Sequence, residues 1–203
     1  MAKIFTTIFI FSLLSLELRA QSDSEREILK FQKELNEEYS NPKTSPLPKK
    51  NVKKFEGHDF FPVDLKYRVK AMLSLTPDAV FFKMQTSTNQ PRDHRIYAMA
   101  SFSINENKYE LPLYQSSDLM KTEEYKDYLF LPFTDLTNGE ETYPSGRYIG
   151  LRIPKEGNEI IIDFNQAYNP YCAYSSSYSC PIVPRENDLN VAILAGVKFQ
   201  KKK

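Results

Sequence analysis

The chain has 203 residues, with 27 lysines and arginines against 26 aspartates and glutamates, a formal net charge of +1. That balance excludes the broad basic field of a nucleic-acid binder. The two cysteines would need two more soft ligands at credible spacing to make a zinc site, and the two histidines are not so spaced; 13 tyrosines with 14 phenylalanines but no tryptophan suit β-sheet surfaces.

The first twenty residues read as an export signal. Lys3 gives a basic start, Ile4 to Leu16 form a mostly apolar run, and Ala20 supplies the small residue a signal peptidase requires. The run is shorter than the roughly 20 residues of a membrane-spanning helix, and Glu17 and Arg19 follow it directly. Residues 1–20 are therefore predicted to be cleaved, which places the chain in the periplasm or outside the cell without a transmembrane anchor. No cysteine follows the apolar run to carry a lipid. Residues 21–203 are expected to form a single domain.

Within that domain, residues 24–40 are predicted to be helical. Ser24 and Glu27 have capping-box spacing, Ile28, Phe31, Leu35 and Tyr39 share one face, and Pro42 ends the run. Residues 41–63, rich in proline and lysine, read as an irregular segment wrapping the domain. From residue 64 to 199 the apolar period becomes two. Strands are expected at Leu65 to Leu75, "AVFFKMQ", "RIYAMASFSI", "YELPLYQ", "YLFLPFT", "GRYIGLRI", "EIIIDFN" and "LNVAILAGVKF". "NENK" marks a hairpin turn, "SSDLMKTEEYKDY" a loop or short helix, and residues 200–203 a basic tail. The fold class is mainly β: an antiparallel sandwich or barrel-like sheet of about eight strands with one N-terminal helix.

"GRYIGLRIPKEGNEIIIDFN" reads as a hairpin closed by Glu156-Gly157. That register sets Ile153, Leu151 and Ile149 against Ile160, Ile162 and Phe164. The opposite face would pair Arg152 with Ile161, Gly150 with Asp163, and Tyr148 with Asn165, leaving room over the Asp163 carboxylate. A candidate site therefore lies between residues 147–165 and the loop 166–187.

"FLPFTDLTNGEETYPSGRYIGL", "DFNQAYNPYCAYSSSYSCPIVPREN" and "LNVAILAGVK" resemble the bacterial and archaeal domain-of-unknown-function family 1684, as do the earlier "SPL" and "FFPVDLKYRV". The resemblance covers most of the chain and implies no assigned activity. Val183 departs from the family's usual proline, and Val197 from the glutamate of an "AGEK" ending, which leaves any role of that glutamate in doubt here.

The chemistry legible in the sequence is sparse. Cys172 and Cys180, with seven residues between them in the oxidising compartment that export implies, suit a disulfide; two buried thiols, or a catalytic or metal role, are the alternatives. His58 and His94 lie outside the motif blocks, so no metal site is expected. Asp163, Asp135, Glu140 and Glu141 could supply an acid and a base, and "DLTNGEE" only faintly resembles a calcium loop. Arg147 could clamp an anion or pair internally with Asp163 or Glu186. Tyr143, Tyr148 and Tyr168 could stack on a ligand; Asn165, Asn169, Glu186 and Asn187 could contact one. No phosphate loop, nucleophile elbow or nucleotide fingerprint occurs, so no cofactor is expected. The preferred expectation is an exported envelope or small-ligand-binding protein, its partner a small molecule or an envelope component and not nucleic acid. The alternative is a hydrolase on a small or glycan-like substrate, with Asp163 as base and Arg147 and Asn165 as orienters. Thiol redox chemistry stands third.

Overall fold

The computed structural model describes residues 23–199. The predicted export signal and the basic tail lie outside the described residues. Helix α1 spans residues 23–40. Ile28, Leu35 and Tyr39 are buried on one side of it, the spacing of an amphipathic helix laid on a core. Ser24 is already helical, so the predicted capping box does not form at that position. The chain leaves the helix at Asn41, just before Pro42, as the steric restriction ahead of proline demands.

Residues 41–63 run over the domain as irregular chain, interrupted by the four-residue helix α2, Lys49–Val52. Eight strands follow: β1 Arg68–Leu75, β2 Phe82–Met84, β3 Arg92–Ile104, β4 Asn107–Ser116, β5 Tyr128–Asp135, β6 Arg147–Arg152, β7 Glu159–Asp163 and β8 Asp188–Leu189. They make one curled, mainly antiparallel sheet in the order β6-β5-β4-β3-β1-β7, with β2 added to β3 and β8 lying parallel to β5. The β3–β4 hairpin turns at Asn105 and Glu106, both at positive φ, the geometry of a two-residue loop matched to strand twist.

The inside of the curl holds the main core. Val69, Ala71 and Leu73 of β1 meet Ala98, Ala100 and Phe102 of β3, Leu129, Leu131 and Phe133 of β5, and Ile160 and Ile162 of β7. A second cluster, on Tyr114, Phe130 and Tyr148, lies beneath the loop 166–187. The second half of β4 and most of β5 are thus covered on both faces, which is why "LPLY" and "LFLPF" run apolar with little alternation. A third cluster joins Leu35 and Tyr39 of α1 to Val197.

Two expectations are corrected. Strands β6 and β7 do not pair. β6 pairs with β5, Gly150 opposite Phe130 and Tyr148 opposite Pro132, while β7 pairs with β1, Asp163 opposite Arg68. Alternation had identified the inward faces of both strands, because both edges of a curled sheet point into one core; it carries no information on which edges touch. The second correction is "LNVAILAGVKF". Only Asp188–Leu189 is strand, and the partly buried remainder is irregular chain held by scattered hydrogen bonds and one isolated bridge, Phe60 to Val197. Gly196 permits that path: its φ is +77°, and a Cβ there would lie 2.6 Å from the Ala167 carbonyl oxygen.

Candidate functional site

Asp163 closes β7 and is saturated with partners. Its Oδ1 accepts from the Asn165 backbone N–H (3.0 Å) and from Asn165 Nδ2 (2.9 Å), and its Oδ2 accepts from Arg68 Nη1 (2.7 Å). Arg68 Nη2 also donates to Glu27 Oε2 of α1 at 2.7 Å. Asn165 is equally committed: its Oδ1 accepts from the Asp64 N–H and its Nδ2 donates to the Asp64 carbonyl, each at 3.0 Å. These residues fasten the helix and the wrapping segment to the end of the sheet. The predicted space over Asp163 does not exist, since Gly150 lies on another strand. A Cβ at Gly150 would meet the Tyr128 ring at 2.9 Å.

Arg147 is fully buried and pairs with Asp135, not with Asp163 or Glu186. Its Nη2 donates to Asp135 Oδ2 (2.7 Å) and to the Ile193 carbonyl (3.0 Å), and Nη1 donates to the Ala195 carbonyl. The guanidinium lies 5.1 Å from the Phe133 ring centre. Asp135 Oδ1 accepts from the Thr137 N–H at 2.8 Å and its hydroxyl at 2.5 Å. Burial pulls the Arg147 pKa down from its ordinary value while Asp135 opposes the shift. This ion pair occupies the Ile193 and Ala195 carbonyls, two of the acceptors that a ladder along residues 190–199 would have used. Asn187 is a tie as well: its Oδ1 accepts from the Tyr114 hydroxyl (2.7 Å) and its Nδ2 donates to the Pro112 carbonyl (3.1 Å). Glu186 is exposed on the turn beside it.

The aromatic candidates do meet. Tyr148 and Tyr168 exchange backbone hydrogen bonds at 2.9 and 3.0 Å, and their rings stand edge to face at 6.1 Å. With Phe31, Leu35, Glu38 and Tyr171 they line a cavity of about 290 Å³ under α1. Desolvation raises the pKa of both tyrosines, and the Tyr148 hydroxyl is spent on the Pro181 carbonyl. Tyr143 packs edge-on against Phe199 at 5.0 Å.

Asn169 belongs to a different and larger hollow. A cleft of about 650 Å³ lies between the wrapping segment, the loop at 169–174 and the chain at 198–199. Its walls include Phe55, His58, Asn169, Tyr174 and Phe199, with Lys54 and Lys198 as cations. Asn169 Nδ2 donates to the Tyr174 hydroxyl (3.1 Å) and the Lys198 carbonyl (3.3 Å), while its buried Oδ1 accepts no hydrogen bond. Lys198 Nζ lies 3.3 Å from Asp59 Oδ1. The walls are held together by backbone bonds from Lys198 N–H to the Asp59 carbonyl (2.8 Å) and from Phe61 N–H to the Gly196 carbonyl (3.0 Å).

His58 was not singled out as a site residue, and it stands at the centre of this wall. Both its backbone N–H (2.9 Å) and its Nδ1 (2.8 Å) meet Asn36 Oδ1. The backbone donor requires an acceptor there, so Nδ1 carries the ring proton and Nε2 is the acceptor. Burial lowers its pKa to about 4, which keeps the ring neutral near pH 7. Tyr39, Phe55 and Tyr174 surround it at 4.4, 5.0 and 5.8 Å. The sequence offered one signal, a histidine among aromatics in "KKFEGHDFF"; its partners come from α1 and from residue 174. A third cavity of about 340 Å³ includes His94, Asp118 and Phe130. Among the described residues, no group of three or more His, Cys, Asp or Glu is placed to hold a metal, and no helix is long and apolar enough to cross a membrane.

The curled β sheet carrying one main helix, with its hollows around the 166–187 loop, defines a compact class of β-rich domain. The chain belongs to the family described as "Protein of unknown function (DUF1684)", whose profile matches residues 53–198. Among solved structures it is similar to the NMR solution structure of an uncharacterised protein from Haloarcula marismortui, at 31% identity and a TM-score of 0.69, covering 89% of this chain and 97% of that one. No curated protein matches the chain.

Proposed function

We propose that this protein is an exported, small-molecule-binding component of the cell envelope, and that its ligand occupies the 650 Å³ cleft beside His58. The observation that carries the binding reading is the make-up of the cleft. Its volume falls in the range of roughly 300–1,000 Å³ typical of small-ligand sites. Aromatic faces from Phe55, Tyr174 and Phe199 share its lining with a few polar groups: Asn169, the neutral His58 ring and the ammonium of Lys54. That combination suits a small organic molecule with a flat or apolar body and a polar, preferably anionic, edge. The export reading rests on the pattern of residues 1–20.

A hydrolytic mechanism built on Asp163 has little support. A general base needs a lone pair directed at a substrate proton, and both Asp163 oxygens are already occupied. His58, with a pKa of about 4, is a weak base at neutral pH. Binding therefore accounts for the geometry better than catalysis does.

The test is a saturation-transfer NMR screen of aromatic carboxylates against the wild-type protein and an Ala173→Phe variant. Ala173 lines the cleft, so a phenyl group there fills it. Hits that lose their signal with the variant support the site. Hits that bind the folded variant equally well place the ligand elsewhere.

A further inference from the structure

We infer that Cys172 and Cys180 are a reversible dithiol–disulfide pair, an oxidation site that braces the loop supplying walls to both hollows. The bond is a separate matter from ligand binding; only its effect on the cleft rests on the function proposed above.

Geometry carries the inference. The Cys172 backbone N–H donates to Cys180 Sγ at 3.1 Å, and both cysteines are free thiols in the structure. Each cysteine is held from its own side. Cys172 lies in the 3-10 turn Tyr171–Ala173. Cys180 is clamped to a separate part of the chain, its N–H donating to Ser87 Oγ (3.1 Å) and its carbonyl accepting from the Ser87 N–H (2.9 Å). The Cys180 sulfur is therefore held against Cys172 at the mouth of a closed loop. Cys172 is half-buried and Cys180 buried, so a small oxidant reaches Cys172 first. The Cys180 thiol, with help from Ser87 and Tyr143, stabilises the Cys172 thiolate and draws its pKa down to about 6, against burial. The same contact pushes Cys180 up. Cys172 is thus the attacking sulfur and Cys180 the resolving one.

The oxidant is a small-molecule disulfide. The Cys172 thiolate attacks one of its sulfurs, forming a mixed disulfide and expelling one thiolate. That thiolate takes up the proton Cys180 loses as it attacks the Cys172 sulfur, and the second small thiolate leaves and is protonated by solvent. Two protein thiols are oxidised and one small disulfide is reduced to two thiols. The bond would close residues 172–180. Tyr171, beside Cys172, lines the smaller cavity, while Ala173 and Tyr174 line the cleft, so both walls would be pinned together.

The experiment equilibrates the purified full chain in glutathione buffers from fully reduced to fully oxidised, traps free thiols with an alkylating agent under denaturant, and weighs the intact protein. The inference predicts two alkylated thiols at the reducing end. At the oxidising end it predicts an unalkylated monomer lighter by about 2 Da than the reduced chain, with Tm higher by on the order of 5 °C. Cys180→Ser should trap glutathione on Cys172, whereas Cys172→Ser should leave Cys180 largely unmodified. Two alkylated thiols throughout, oxidation only as cross-linked dimers, or equal modification of the two single variants would overturn it. Because mass reports the bond without any ligand, a protein that forms the disulfide yet binds no fragment sinks the binding reading alone.

Discussion

In an Arg147→Met variant the stem still packs on Phe133, but three hydrogen bonds vanish: those to Asp135, to the Ile193 carbonyl and to the Ala195 carbonyl. Breaking a buried ion pair by removing one partner costs about 3–5 kcal/mol, because the remaining charge stays desolvated. Asp135 keeps its bonds from Thr137, which softens that cost. The two abandoned carbonyls each add roughly 1–3 kcal/mol when left unpaired, although such costs do not sum simply. A net loss of about 4 kcal/mol is expected. For a chain of this size that lowers Tm by roughly 8–16 °C. The assay is urea unfolding followed by circular dichroism, read as a lower midpoint at unchanged slope. An Asp135→Leu, Arg147→Met double variant should recover the part that stems from the lone carboxylate. A loss below about 1 kcal/mol, together with loss of fragment binding, would refute the reasoning and make Arg147 a ligand-facing clamp.

Three further outcomes follow from the same geometry. Asp163→Asn sets an amide against Arg68 and should cost about 1–3 kcal/mol, measured by the same unfolding assay, while fragment affinity stays unchanged; lost affinity in the folded variant would restore Asp163 to the site. Burial lowers the folded-state pKa of His58 from 6.5 to about 4, so the unfolded chain binds the proton more readily. Its contribution is fully present above pH 6.5 and is lost as pH falls toward 4, on the order of 2 kcal/mol of it between pH 7 and pH 5. Urea midpoints at pH 7 and pH 5 should differ less in His58→Gln than in wild type; His94, shifted in the same direction by burial, supplies the remainder. Expression of the full chain in a Gram-negative host should yield periplasmic protein beginning at Gln21, checked by fractionation and intact mass, and a cytoplasmic product retaining residues 1–20 would contradict export.

The sequence made the β class, the helix face on Ile28, Leu35 and Tyr39, and the Asn105-Glu106 turn legible, because each is encoded over a few adjacent residues. Inward faces were legible too: Ile149, Ile160, Ile162 and Phe164 all enter the main core. Strand neighbours were not. The period of two fixes a side, and Glu156-Gly157 was a plausible turn, yet β6 and β7 occupy opposite ends of the strand order. That error placed Gly150 over Asp163 and created a pocket where the chain has a clamp. The run at 189–199 misled for a related reason, since apolar burial looks alike whether a carbonyl meets a neighbouring strand or the Arg147 guanidinium. The cleft around His58 is assembled from the wrapping segment, residues 169–174 and 198–199, and no local pattern announces such an assembly. Asn169 was the one predicted ligand-binding residue that fell within it.

The central claim is that ligand binding belongs to the His58 cleft and not to the Asp163 end of β7. Two-dimensional NMR of isotope-labelled protein, titrated with the strongest hit from the aromatic-carboxylate screen, tests it directly. The account predicts saturable shifts centred on Phe55, His58, Asn169, Tyr174 and Lys198, with Asp163 and Asn165 unmoved. Shifts centred on Asp163, Asn165 and Arg68, with the cleft silent, would contradict it.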